Sequence, residues 1–176
     1  MKVYITDLEA YNSGHIVGEW YQLPMDKQLL DVMVQELLRA GRIACGDEHY
    51  HDEYFITDYE CDYMEIEEYT CLEKLNEITE AMEGIDADGQ KAIKFLLDNN
   101  FVNGIFEAIA SYEDCVRIYE DSTMEDIAEN YIEECYNLDD MPSIIANNID
   151  YESIASDMEI EGSFYRINGD IYEYIG

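Results

Sequence analysis

The sequence predicts an α+β protein, an elongated chain of three small domains: a sheet-plus-helix unit (1–69), a helical unit (70–112) and a mixed α/β unit (113–176). Three observations lead there. Strand-like stretches rich in β-branched residues and tyrosine fall at the two ends of the chain, whereas the middle shows only helical periodicity. Apolar residues make up 48% of the 176, enough to bury a core and too many for a disordered acidic tail. Against 42 acids stand 9 bases, a formal net charge of -33, and self-repulsion on that scale favours charge spread along an axis.

Lys2–Leu8 (KVYITDL) reads as the first strand. Asn12, Ser13 and Gly14 turn the chain, and His15–Tyr21 (HIVGEWY) returns as a second strand with Gly18 a candidate bulge and Trp20 a core residue. Pro24 and Asp26 open a helix over Lys27–Ala40 that turns Leu29, Leu30, Met33, Leu37 and Leu38 inward, and Gly41 closes it. Tyr54–Tyr59 (YFITDY) is a third strand. The helical middle follows as Leu72–Gly84, Asp86–Asn99 and a shorter helix near Gly104–Ser111, with Leu75, Ile78, Met82, Ile93, Leu96 and Leu97 on the inward stripes.

Cys115–Tyr119 (CVRIY) is strand-like, and the stretch Asp121–Cys135 (DSTMEDIAENYIEEC) carries an amphipathic helix over Thr123–Tyr136. Met124, Ile127, Ala128, Tyr131, Ile132 and Cys135 make its apolar stripe, and Ser122 with Glu125 has capping-box spacing. A short helix from Pro142 to Asn148 and another over Tyr151–Met158 precede a hairpin, Ser163–Ile167 with Ile171–Tyr174, turned by Asn168-Gly169-Asp170.

The outer face of the Thr123–Tyr136 helix carries Glu125, Asp126, Glu129, Glu133 and Glu134, with no lysine or arginine among them. Glu125, Glu129 and Glu133 stack four apart, and each such pair costs a helix roughly 0.2–0.5 kcal/mol. Glu133 and Glu134 sit where the helix dipole favours a cation. At 1.5 Å of rise per residue these acids give about one charge per 3 Å, close to the one phosphate per roughly 3.4 Å of a DNA strand. The face therefore has the charge spacing of a phosphate backbone, although a solvated helix face can also be acidic. On the same scale the whole net charge corresponds to about 55 Å of duplex.

Acids recur in every predicted unit: Glu60, Asp62, Glu65, Glu67 and Glu68; Glu107, Glu113 and Asp114; Glu120, Asp121, Glu125, Asp126, Glu129, Glu133 and Glu134; Asp150, Glu152 and Asp157, with Glu159 and Glu161 beyond. Such a surface excludes nucleic acid and anionic membranes as direct partners and suits basic clefts, most of which bind nucleic acid. The sequence has no run of eighteen apolar residues and no charged-then-apolar leader, so a soluble, unprocessed chain is expected. Five scattered cysteines without a C-x-x-C suit reduced thiols in the cytoplasm.

Four segments together, YITDLEAYNSGHIVGEWYQLP at Tyr4–Pro24, FITDYE at Phe55–Glu60, MEDIAENYIEE at Met124–Glu134 and NIDYESIASDMEIEGSF at Asn148–Phe164, resemble the ArdA antirestriction proteins of conjugative plasmids and transposons. The match is strong at both ends of the chain and weak over Asp26–Glu53 and the helical middle. The resemblance implies a non-enzymatic mimic of duplex DNA, an elongated homodimer that occupies the DNA groove of type I restriction–modification enzymes and shields incoming DNA. It also implies dimerisation through the C-terminal domain, for which Cys115, Val116, Arg117, Ile118 and Tyr119 are the candidate pairing edge.

Other chemistries find less support. Cys45, His49 and His51 have a metal-like spacing, with Asp47 and Asp52 adding oxygens, but a fourth organised ligand is not indicated. Asp86, Asp88 and Gly89 fail the calcium-loop pattern, since the glycine comes too early and no glutamate stands at the twelfth position. Paired carboxylates could serve a glycosidase, yet with 42 acids pairs arise at any spacing. Neither a Gly-rich phosphate loop nor a G-x-S-x-G elbow is present. No enzyme, cofactor or metal is expected. The competing readings are a general acidic module for basic proteins and an adaptation to high salt.

Overall fold

A computed structural model describes residues 1–46 and 50–176, which divide into two compact units, Met1–Ile109 and Ala110–Gly176. Among the described residues it is a mixed α/β protein with two three-stranded antiparallel sheets.

The first unit runs β1 (Lys2–Asp7), α1 (Leu8–Asn12), β2 (Gly18–Gln22), α2 (Lys27–Ala44), β3 (Tyr54–Glu60), α3 (Leu72–Ala81), α4 (Ala87–Asp98) and the start of α5 (Ile105–Cys115). Its sheet has the order β2-β1-β3, so the most buried strand is central. Val3 faces Tyr21 on one side and Tyr59 on the other. Val3, Ile5, Tyr21, Leu23, Leu30, Leu37, Ile56 and Ile66 form the core together with Leu72 and Leu75 of α3. The sheet and the first helix of the predicted helical middle therefore share one core.

Several local expectations are corrected. The first strand stops at Asp7, because the Asp7 carboxylate accepts the Ala10 amide at 2.7 Å and caps α1, a helix the sequence reading runs through as strand and turn. The second strand begins at Gly18, not His15. Gly18 stands opposite Thr6 in an unbroken ladder, and the irregularity lies between Tyr4 and Ile5 on the β3 side. A Cβ on Gly18 would lie 2.9 Å from the Ile5 carbonyl oxygen, so close approach is what requires the glycine. Trp20 is 41% exposed, packed edge-on against Tyr4 on the outer face of the sheet. Leu29, expected inward, is half exposed.

Gly41 does not end α2. It is buried within the helix, where a Cβ would collide with the Asp7 carboxylate and sit 3.0 Å from His51 Nδ1. The glycine read as a stop signal is a packing device. The helix closes a turn later, at Cys45.

The second unit contains the end of α5, then β4 (Val116–Tyr119), α6 (Met124–Cys135), a 3-10 turn (Leu138–Asp140), α7 (Ser143–Ala146), α8 (Tyr151–Glu161), β5 (Phe164–Ile167) and β6 (Asp170–Tyr174). The sheet order β4-β6-β5 puts the last strand in the centre and β4 on an edge. The β5–β6 hairpin turns on Asn168 and Gly169 alone, both at positive φ (53° and 101°), with Ile167 paired to Asp170. That is the backbone an Asn-Gly hairpin turn demands. Met124, Ile127 and Ala128 of α6, Ala155 of α8 and Ile171 of β6 make the core. The predicted stripe on α6 is buried only in its first half, because Tyr131 is 53% exposed and Cys135 is also exposed.

Candidate acidic interaction surface

In the first unit, Glu60 closes β3, and Asp62, Glu65, Glu67 and Glu68 follow on the segment leading to α3. All five are exposed, while Tyr63 and Ile66 between them are buried. The two apolar anchors pin the segment and turn its acids to water. Glu107 is exposed on α5.

In the second unit Glu113 and Asp114 end α5, Glu120 and Asp121 form the turn after β4, and Glu125, Asp126, Glu129, Glu133 and Glu134 lie on α6. Asp150 caps α8, which carries Glu152 and Asp157. Every one of these is exposed. On α6 the acids stand outward because Met124, Ile127 and Ala128 fix the opposite face in the core.

The carboxylates are not equivalent. The α6 cap is made by Thr123 and Asp126, not by Ser122 and Glu125: the Thr123 hydroxyl accepts the Asp126 amide at 3.1 Å, and the Asp126 carboxylate accepts the Thr123 amide at 2.8 Å. The Thr123 hydroxyl also donates to Asp126 at 2.6 Å, and these bonds hold its carboxyl below the usual aspartate range. Asp150 is held low in the same way by the amide and hydroxyl of Ser153. Glu107 accepts the Asn103 amide at 2.7 Å. Glu60 is paired with Lys2 at 2.7 Å and Glu159 with Arg166 at 2.7 Å. Glu125 is left out of the cap, and with Glu129, Glu133 and Glu134 it forms a patch on a helix whose last turn has no base.

The candidate pairing residues fall at the end of α5 and along β4. Cys115 is the last residue of α5, Val116 is buried, Arg117 is exposed, and Ile118 and Tyr119 are half-buried. Tyr119 donates to Glu173 at 2.8 Å, and the Arg117 guanidinium stands 3.7 Å from the same carboxylate. Burial and Glu173 together raise the Tyr119 pKa.

Sequence reasoning passes over acids on the first sheet. Glu19 of β2 stands opposite Ile5, and Asp58 of β3 opposite Tyr4; both are exposed. For Asp58 the signal was present, since it alternates with Tyr59, the partner of core Val3; Glu19 shares the face of Ile5, and alternation alone would have turned it inward. A second omission is a buried pair. The His51 ring nitrogen Nδ1 lies 2.7 Å from Asp7 Oδ2 and 2.8 Å from Oδ1, with both side chains fully enclosed. The two residues are 44 apart, and no local pattern links them. His51, weighed as a metal ligand, is thus engaged with Asp7 in the core; His49 and Asp47 lie outside the described residues. Among the described residues no cluster of His, Cys, Asp or Glu is arranged to hold a metal, and no helix is long and apolar enough to cross a membrane.

These features define an acidic protein that displays its carboxylates from folded helices, strands and turns. The chain belongs to the family of ArdA antirestriction proteins, whose family model matches residues 3–173. The match spans both ends and also the helical middle, where the motif resemblance was weak. No curated protein matches the chain. Family membership implies an antirestriction function, directed at restriction–modification enzymes.

Proposed function

We propose that the chain mimics duplex DNA with its surface carboxylates and occupies the DNA-binding groove of type I restriction–modification enzymes. The observation that carries this reading is the exposure of the acids on separate elements in both units. The enzyme's lysines and arginines pair with carboxylates in place of phosphates, and counterions leave the groove and the mimic. No catalytic step, cofactor or metal takes part, and the protein acts in the cytoplasm, sheltering incoming DNA of a mobile element. The working form is a homodimer joined along Cys115–Tyr119. The position of β4 at the edge of its sheet supports that assignment, since an edge strand carries unpaired backbone groups.

The test is competition between the purified protein and a DNA duplex for a type I methyltransferase core, at low and high salt, with an unrelated basic protein as control. Stoichiometric displacement of DNA that weakens steeply with salt, and little binding to the control, is the expected result. Equal binding to both proteins would assign the chain to general acidic modules instead. Failure to fold in dilute buffer would favour adaptation to high salt.

A further inference from the structure

In a chain of net charge -33, α2 is the exception. It carries three bases, Lys27, Arg39 and Arg42, against two acids, Asp31 and Glu36. Among the described residues it is the only helix with more bases than acids, and the only one with a base in its last turn. Leu30, Leu37, Leu38 and Gly41 turn one side of it into the first unit. On the opposite side Leu29, Val32, Glu36, Arg39 and Ile43 recur at three- and four-residue spacing, which aligns them on one face. Leu29, Val32 and Ile43 are each at least half exposed, and Glu36 is the sole acid of that face. A helix with one apolar side in the core needs no second apolar stripe in water, so the stripe points to a partner.

We propose that the outer face of α2 is a self-association surface, on which a second copy of this chain docks by antiparallel, two-fold pairing of α2 with α2. Charge selects the occupant. A basic DNA-binding groove is a poor match for Arg39 and Arg42, whereas a surface with the same balance of charges is a good one. Pairing α3, α5, α6 or α8 with itself would set an excess of acids against the same excess; α2 escapes that penalty. The order of residues along the stripe is also self-complementary. Reversed about an axis near Glu36, it sets Leu29 beside the partner's Ile43 and Val32 against the stem of the partner's Arg39. Each Glu36 then lies between two guanidiniums, its own Arg39 at 3.9 Å and the partner's. The 18 residues of α2 span about 27 Å, and two such faces bury less than the roughly 1,200 Å² at which standard interfaces begin. The contact is therefore weak and reversible. Salt screens the repulsion between two chains of net charge -33 and tightens it, the opposite of its effect on an acidic face bound to a basic groove.

The test is sedimentation equilibrium of the full-length protein over a range of concentrations, in low and high salt. The average mass should double with concentration, and do so at lower concentration in high salt. Val32→Glu and Arg39→Glu should each weaken the association at least about tenfold with the helix content unchanged by circular dichroism, and either carries the test if the other fails to fold. Adding Glu36→Arg to Arg39→Glu swaps the crosswise pair and should restore association to within about threefold. Mass that never grows with concentration, or growth that Val32→Glu leaves untouched, would overturn the proposal. Failure of Glu36→Arg to rescue Arg39→Glu would overturn the two-fold pairing. If the wild-type mass stays constant while Val32→Glu weakens binding to the methyltransferase core, the face belongs to the enzyme and not to a second copy.

Discussion

The carboxylate of Asp7 and those on α6 are the same chemical group used in opposite ways. Asp7 is fully enclosed, accepts the Ala10 amide, meets His51 and lies against Gly41. Glu125, Glu129, Glu133 and Glu134 are exposed, on a face with no base, against a core that would form equally well without them. The difference teaches that charge inside the fold is specified group by group, whereas charge on the surface acts as a sum. Burial makes the first irreplaceable, since an unpaired interior charge has nowhere to be solvated. Water and salt make each member of the second weak.

The largest expected effect breaks the inner pair. His51→Leu leaves the Asp7 carboxylate buried with only the Ala10 amide to answer it and should destabilise the first unit by about 3–5 kcal/mol in urea unfolding. A loss below about 1 kcal/mol would mean that Asp7 is solvated without His51. Gly41→Ala comes next: the added methyl displaces the Asp7 carboxylate, at a cost of about 1–3 kcal/mol, with α2 intact by circular dichroism.

Thr123→Ala probes the border between the two uses, because Asp126 is exposed yet locally fixed. It should cost about 1 kcal/mol as a lost cap. It should also raise the Asp126 pKa toward the ordinary aspartate range, as followed by NMR titration. With its folded pKa lowered, Asp126 contributes stability that is complete above the unfolded aspartate range and is lost as pH falls through the lowered value. In the variant that acid-side loss should shrink.

Neutralising Glu125, Glu129, Glu133 and Glu134 together should leave the fold intact, relieve roughly 0.2–0.5 kcal/mol per stacked pair, and weaken displacement of DNA several-fold. Opposite signs for stability and inhibition are the signature of a functional surface. Glu129→Gln alone should change inhibition by less than about twofold. If that single neutral substitution abolished inhibition while the fold persisted, the distributed-charge model would fail.

The sequence by itself determined most of what is periodic or local. The helices over Leu72–Ala81, Ala87–Asp98 and Met124–Cys135, the strands of both sheets and the Asn168-Gly169 hairpin are written in apolar spacing and turn chemistry. The abundance of exposed acids follows from the same reading, because residues that cannot be buried must face water. Tertiary structure decided what depends on partners distant in the chain. Gly41 reads locally as a helix stop, and only the approach of Asp7 and His51 makes it an interior residue. Trp20 reads as core and lies outside because its strand position faces away from Val3 and Ile5. Thr123 rather than Ser122 caps α6 because the turn through Asp121 at φ 50° sets where the helix can start. The Asp7–His51 pair has no sequence signature at all. It is created when segments dozens of residues apart are brought together by the burial of a shared core, and packing of that kind is not encoded in any local pattern.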